Sequence, residues 1–398
     1  MKTENNKNEI SIIILILLIS LASVGASIIM PSLPEVASSF FIPVNKVQFV
    51  ITAFVFGYAI SQILYGPISN SFGRKKAIIA GLSISTLGSL LCVISYNFEF
   101  LIIGRIIMAI GAGCGLNMTF TLINDCFRDS KARQITAYTS CAFAIVPGIA
   151  LYIGGELTEH LNWRYCFVFQ LIYNLVLLIL IKTMPETLNK SSRLKFNLNN
   201  IFLQYKNVFQ NSKIYLHILI AGMTTSIIYV IYSSSPIISS TNFHMSPISY
   251  SHHAIFITIS YFIGNIITGK ITKYLHHITL YVLGACIVTL GAFILIYFSA
   301  YKPTNPIMFF LATSIIFLGL PLIFTTTTSE IMTIAVDKST TSSIFSFGFM
   351  LITFGSTILM STLKYNLVIT LPALIIVMVI IINTLIFWQY LKIKTLNG

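Results

Sequence analysis

GYAISQILYGPISNSFGRKKAII, residues Gly57 to Ile79, decides how the chain folds. One apolar run ends at Pro67 and a second begins after Lys76. The stretch between them, Ser69 to Lys76, holds one glycine and three consecutive cations, Arg74, Lys75 and Lys76. Two bilayer-spanning helices joined by so short a turn form an antiparallel pair. Short loops rich in Lys and Arg stay on the cytoplasmic side, so this turn predicts the orientation of every run before and after it.

Composition agrees. The chain has 398 residues, 56% hydrophobic and 9% charged, with a mean hydropathy of +0.87. A soluble protein carries about 25% charged residues, and one span needs about 20 apolar residues. The sequence supplies such runs nearly end to end, which predicts an all-α polytopic membrane protein. The alternation of a β-barrel, in segments of about 10 residues, is absent. The net charge of +13 lies in the loops between runs rather than on a soluble face, so it is a topology signal and not a nucleic-acid footprint. The first run, Ile10 to Pro31, is too long for a signal-peptide core and leads into further spans, so it reads as a retained helix. Cys92, Cys114, Cys126, Cys141, Cys166 and Cys286 form no CxxC pair. They read as small hydrophobes in helices, with no disulfide framework, metal site or cofactor.

Apolar runs fall at 10–31, 45–67, 77–96, 100–122, 134–156 and 163–183, and again at 213–235, 250–270, 278–298, 306–329, 341–362 and 368–390. About twelve helices in two sets of six follow. The predicted units are an N-terminal bundle (1–183), a cytoplasmic linker (184–212) and a C-terminal bundle (213–398). With both termini inside, 19 of the 24 Lys and Arg residues lie in inward segments. Lys46, Arg164, Lys302 and Lys364 lie outward, and Arg105 lies within a span. In the linker, Phe196, Ile201, Phe202, Tyr205 and Phe209 are spaced among polar residues as on an amphipathic helix at the inner interface. A flexible tether is the alternative.

Longer motifs carry a family likeness. VQFVITAFVFGYAISQILYGPISNSFGRKK, Val47 to Lys76, resembles the helix 2 to helix 3 signature of the major facilitator superfamily, and more narrowly of the Bcr/CflA-type drug efflux transporters. Gln48, Gly57, Gln62, Gly66, Pro67, Ser69, Gly73, Arg74 and Lys75 stand where that pattern has its counterparts. Pro31-Ser32-Leu33-Pro34, Gly104-Arg105 with Gly111-Ala112-Gly113, Asn124-Asp125, Pro147 with Gly154-Gly155, Trp163-Arg164 and Pro185-Glu186-Thr187 follow in register. The second half matches in hydropathy, loop lengths and an echo at Gly264–Lys270.

The resemblance implies two pseudo-symmetric six-helix bundles and a secondary active transporter working by alternating access. It implies export of small amphipathic compounds, with protons left open as coupling ion. It also implies a conformational clasp at Gly66, Asn70, Gly73, Arg74, Lys75 and Asp125. Two departures stand out. The helix 1 acid of the family is Ser27 here, and the acid of the basic loop is Asn70. In helix 5 the family's second proline is Leu151.

Arg105 is the sharpest residue. A cation in a span costs about 2.5–3.5 kcal/mol on insertion scales and marks function by default; snorkelling to the headgroups is its alternative. Pro147 removes a backbone hydrogen bond, and Gly154 and Gly155 give helix 5 a smooth face that can slide. Tyr58, Gln62, Asn117, Gln170, Asn174, Tyr229, Tyr232, Tyr261 and Asn265 are polar or aromatic within spans and are candidates for a midplane pocket. The eleven acids fall at helix ends or in loops, and the seven histidines do no better. A transporter of an anionic metabolite or siderophore, using Arg105 for the anion, is the rival reading. A membrane enzyme would cluster His, Asp and Glu within spans, and a receptor would carry a large soluble domain. The expected setting is the cell inner membrane, with a monomer, a small-molecule substrate and no nucleic acid.

Overall fold

The structure, a computed structural model, describes residues 10–195, 197–210, 213–301, 303–335, 337–363 and 366–397. Lys2, Lys7, Phe196, Lys302 and Lys364 lie outside the described residues, as do the side chains of Arg133, Ile201, Phe209, Lys213, Lys392 and Lys394.

Among the described residues, twelve helices are long and apolar enough to cross a membrane. The first six are Ile12–Ser39, Lys46–Phe72, Arg74–Val93, Phe98–Cys126, Ser130–His160 and Arg164–Thr183, spans 1 to 6. Spans 7 to 12 are Ile214–Phe243, Pro247–Ile271, His277–Tyr301, Pro306–Ile334, Thr340–Thr362 and Leu367–Gln389. Spans alternate in direction, so Gly73 and the segments after spans 4, 6, 8 and 10 share one end of the bundle, here the basic end.

Local chemistry sets several starts. Asn97 accepts from Phe100 N–H at 2.8 Å and caps span 4. Ser246 and Asn305 cap spans 8 and 10 at 3.3 and 3.2 Å, each followed by a proline in the first turn. A side-chain oxygen there satisfies an amide that has no partner inside the helix, and proline loses nothing at that position.

Helices outrun the apolar runs that predict them. Span 1 continues past Pro31, through a 3-10 turn at Met30–Ser32, to Ser39. Span 2 continues past Pro67 to Phe72. The eight-residue basic loop expected between spans 2 and 3 thus shrinks to Gly73 alone, at φ 103°. Hydropathy marks where a helix leaves hydrocarbon, not where it ends; the helices run on through polar residues beyond that edge.

The two halves repeat one packing pattern. In the first half span 4 packs on spans 2 and 3, span 6 on span 3, and span 1 on span 5. In the second, span 10 packs on spans 8 and 9, span 12 on span 9, and span 7 on span 11. The halves meet chiefly through span 2 against span 11 and span 5 against span 8. A helix at Leu198–Phe209 packs on span 11 and donates from Tyr205 Oη to Ile63 O of span 2 at 2.8 Å. It therefore touches both halves at the basic end. Burial pushes the Tyr205 phenol up to about 12, so it stays a donor at neutral pH. Phe202 and Leu203 on the same helix are exposed, as an interfacial helix requires.

Candidate functional site

Three polar regions are built into this frame. The first surrounds Gly73. Arg74 opens span 3 and points back across the turn. Its Nε donates to Asp125 Oδ2 at 3.1 Å, and its Nη1 donates to Asn70 Oδ1 at 2.6 Å and Ser69 Oγ at 3.1 Å. Glu186 caps span 3 by accepting from Arg74 N–H at 2.9 Å and lies 3.9 Å from Arg193 Nη2. A carboxylate is the favoured cap at a helix N-terminus. A Cβ on Gly73 would stand 2.3 Å from Glu186 Oε2, and φ 103° is a conformation for glycine. Lys75 donates to Lys182 O at 2.7 Å. Asn70, Gly73, Arg74, Lys75 and Asp125 are thus brought together: the Arg74 guanidinium ties span 3 to spans 2 and 4, and Lys75 ties it to span 6. Gly66 lies seven residues before Gly73, about two turns, facing Ser343 of span 11.

The second region is Arg105. It is fully buried and turned into the first half, so snorkelling is not its arrangement. Its Nη1 donates to Gly25 O at 2.7 Å and its Nε to Val50 O at 3.0 Å. Its guanidinium carbon lies 4.5 Å from the Phe54 ring centroid and 5.8 Å from that of Phe167. Among the described residues no carboxylate pairs with it, and its Nη2 is buried without a hydrogen-bond partner. Ser27 is buried two residues beyond Gly25 and makes no hydrogen bond to it. Gln48, at the start of span 2, is also fully buried, with neither amide atom bonded.

The other polar candidates divide by location. Tyr58 stacks on Phe54, the ring against Arg105, with centroids 6.3 Å apart, while Gln62 accepts from Asn117 Nδ2 at 3.4 Å and joins spans 2 and 4 further along. In the second half Tyr232 and Tyr261 both meet Phe317, at 5.1 and 6.0 Å, and Asn265 donates to Tyr261 O. Tyr229 is half-buried on span 7. Gln170 and Asn174 are elsewhere. Asn174 donates to Ser85 and Ser89 of span 3 and accepts from Gln170, so both serve the seam between spans 3 and 6.

Span 5 runs unbroken through Pro147. Its small-residue face meets two partners rather than one. A Cβ on Gly148 would touch Thr258, and one on Gly155 would touch Ser251, both across the halves. One on Gly154 would stand 1.9 Å from Ile28 O, inside the first half. Ser251 Oγ donates to Leu151 O at 3.0 Å.

The third region escaped the sequence reading. Glu330, near the end of span 10, accepts from Tyr281 Oη and Gln389 Nε2, each at 2.9 Å. His217 Nε2 stands 3.2 Å from the same oxygen, and His277 Nε2 stands 3.3 Å from the other. Four spans supply the five groups. The available signal was the internal repeat: His277 opens span 9 as Arg74 opens span 3, and Glu330 closes span 10 as Asp125 closes span 4.

Comparisons with known proteins agree with this architecture. The family model described as Major Facilitator Superfamily matches residues 15–360. Multidrug resistance protein D of Escherichia coli (strain K12) is 30% identical over 226 residues, 56% of this chain and 56% of that protein. Quinolone resistance protein NorB of Staphylococcus aureus (strain Newman) is 30% identical over 200 residues, 50% of this chain and 42% of that protein. The chain thus spans about half the length of these two relatives. A crystal structure of a D-xylose-proton symporter superposes with a TM-score of 0.76 at 15% identity, covering 93% of this chain and 96% of that one.

Proposed function

The chain belongs to the Major Facilitator Superfamily, and on that premise we propose that it is a secondary active transporter that exports small amphipathic compounds by alternating access. It is a multi-pass membrane protein and not an enzyme. The observation that carries the reading is the meeting of two equivalent six-span halves along spans 2 and 11 and spans 5 and 8. In that plan the substrate sits between the halves near the midplane, and the halves rock about it. Tyr58, Gln62 and Asn117 on one side, with Tyr229, Tyr232, Tyr261 and Asn265 on the other, offer rings and amides for an amphipathic guest. The names of the two resistance proteins support export of drug-like molecules. The basic end then faces the cytoplasm, with both termini inside the cell inner membrane, because its loops hold the cations.

Arg105 favours a second reading, an anionic substrate. A buried guanidinium without a carboxylate, and with one nitrogen unpartnered, suits a carboxylate or phosphate, which arginine binds with two parallel hydrogen bonds.

Uptake into inside-out vesicles tests both. The panel is a lipophilic cation, a fluoroquinolone (one amine, one carboxylate) and a simple organic anion, each with and without a pH gradient. Accumulation of the first two supports drug export. Accumulation of the anion alone supports the second reading. Accumulation of none of them, in a folded and inserted protein, sinks both.

A further inference from the structure

The Glu330 cluster has a counterpart whose chemistry differs in one respect. Spans 9, 10 and 12 repeat spans 3, 4 and 6 in packing. In the first half the group opposite the span-end carboxylate is the guanidinium of Arg74. In the second half it is replaced by two imidazoles, His277 and His217, 3.3 and 3.2 Å from Glu330. Imidazole changes charge between about pH 5 and 8. The same framework that holds a guanidinium in one half therefore holds imidazoles in the other.

The hydrogen bonds say where a proton goes. Glu330 Oε2 is approached by three groups: the Tyr281 hydroxyl, the Gln389 amide and His217 Nε2. An oxygen taking so many donors is that of an ionised carboxylate. His277 turns its Nε2 to within 3.3 Å of the other oxygen; beside a carboxylate the favoured tautomer carries its hydrogen on Nε2, which leaves Nδ1 to take a proton. His277 is also the reachable member. Its side chain is 37% exposed against 9% for His217, and it lines a cavity of about 580 Å³ with His276, Thr272, Ser329 and Thr333.

We propose that this cavity leads to a proton-binding site, with the proton held at Nδ1 of His277, Glu330 as its counter-charge and His217 as a second, coupled imidazole. The proton comes from a hydronium ion of the solvent: its O–H bond breaks, the electron pair stays on the departing water, and an N–H bond forms on the Nδ1 lone pair. Before uptake the carboxylate and two neutral imidazoles sum to one negative charge, and afterwards to zero. A second proton would set two cations on one carboxylate. Uptake replaces a contact between a neutral imidazole and a carboxylate by an ion pair, and so tightens span 9 against span 10 at the basic end. The other titratable groups in the neighbourhood are few. His276 stacks on His277 with centroids 3.7 Å apart. Span 8 presents Lys270 and Lys273 at its end, neither paired with Glu330. Asp337, beyond span 10, is bonded by Thr340.

The site goes beyond the transport reading and can be tested without a substrate. Protein labelled with ¹⁵N in its imidazoles is placed in lipid nanodiscs, and its ring resonances are followed by NMR from about pH 5 to pH 9. His277→Gln and His217→Gln assign the signals. The His277 signal is expected to titrate within that range and to report protonation at Nδ1. Its midpoint should move by about one pH unit, tenfold in proton affinity, in Glu330→Gln. His217→Gln should also displace the His277 midpoint, which keeps the test open should Glu330→Gln not fold. A His277 signal that does not titrate, or one whose midpoint neither substitution moves, overturns the site while leaving the export reading where the vesicle assay puts it.

Discussion

Arg105 holds the backbone carbonyl of Gly25 at 2.7 Å, two residues short of Ser27. The family places an acid at that position of span 1; here the guanidinium bonds to main chain instead and keeps Nη2 unpartnered. Truncating one member of a buried charged pair costs about 2–5 kcal/mol. Arg105→Ala is therefore expected to weaken an anionic substrate at least thirtyfold, by roughly 2 kcal/mol. Arg105→Lys should restore little, since lysine lacks the planar fork. Ser27→Asp should weaken the same substrates by competing for the guanidinium. Equilibrium binding of a labelled anion and a labelled lipophilic cation to the four proteins is the measurement. If the cation binds best and none of the three substitutions alters anion binding, Arg105 is a structural tie between spans 1, 2 and 4.

Span 5 separates two effects that its sequence merges. Proline inside a helix costs about 3 kcal/mol or more, so Pro147→Ala is expected to raise thermal stability while slowing transport several-fold. The gain would mark Pro147 as kept for movement. Gly154 is different. Its missing Cβ would stand 1.9 Å from Ile28 O, so Gly154→Leu should destabilise the packing of spans 1 and 5 and lower the yield of folded protein. Melting curves and initial transport rates on both variants decide this. Pro147→Ala transporting at the wild-type rate defeats the movement argument.

Topology can be checked without any substrate. Reporter fusions after Lys76, Arg133, Lys195 and Lys338 should be cytoplasmic, and fusions near Lys46 and Glu159 external. The motivation is the 19 inward cations against four outward. The structure adds that Gly73, the Leu198–Phe209 helix and the segment between spans 10 and 11 share one end. A reproducible reversal at any of the first three cytoplasmic positions removes the assigned orientation.

The twelve spans were legible because the bilayer leaves one solution for a continuous apolar run, a helix with every backbone group bonded internally. That Arg74 and Asp125 meet follows from two separate motifs, Gly73-Arg74 after span 2 and Asn124-Asp125 at the end of span 4. What stayed hidden depends on which way a polar residue faces. Gln170 and Asn174 look like pocket residues in a hydropathy reading, yet they pair with each other and with Ser85 and Ser89. His217, His277 and Glu330 are far apart in sequence and each lies near a helix end, so nothing local signals that they meet. Superposing the two halves, span 9 on span 3 and span 10 on span 4, points to His277 and Glu330; His217, on span 7, has no such pointer.

The clasp itself gives the last prediction. Arg74 is bonded to one carboxylate, Asp125, and to one amide, Asn70. The hydrogen bond to Asn70 has one charged partner, the guanidinium; a carboxylate there makes both partners charged and permits a bidentate pair, the stronger class. Asn70→Asp, which keeps the side-chain shape and adds a charge, is therefore expected to strengthen the tie between spans 2 and 3 by about 1 kcal/mol, fivefold in the equilibrium between clasped and released forms. Asp125→Asn should weaken the tie to span 4 by about as much. Glu186→Gln should fall between them, because it keeps an oxygen for the Arg74 amide but gives up the charge facing the end of span 3 and Arg193. If the clasp must open in each cycle, Asn70→Asp raises the melting temperature and slows turnover, while Asp125→Asn lowers the melting temperature. Measured together, melting temperature and turnover distinguish a clasp from a topology signal. Cations that only orient the chain would leave both unchanged in Asn70→Asp and Asp125→Asn alike, since neither substitution alters Arg74, Lys75 or Lys76.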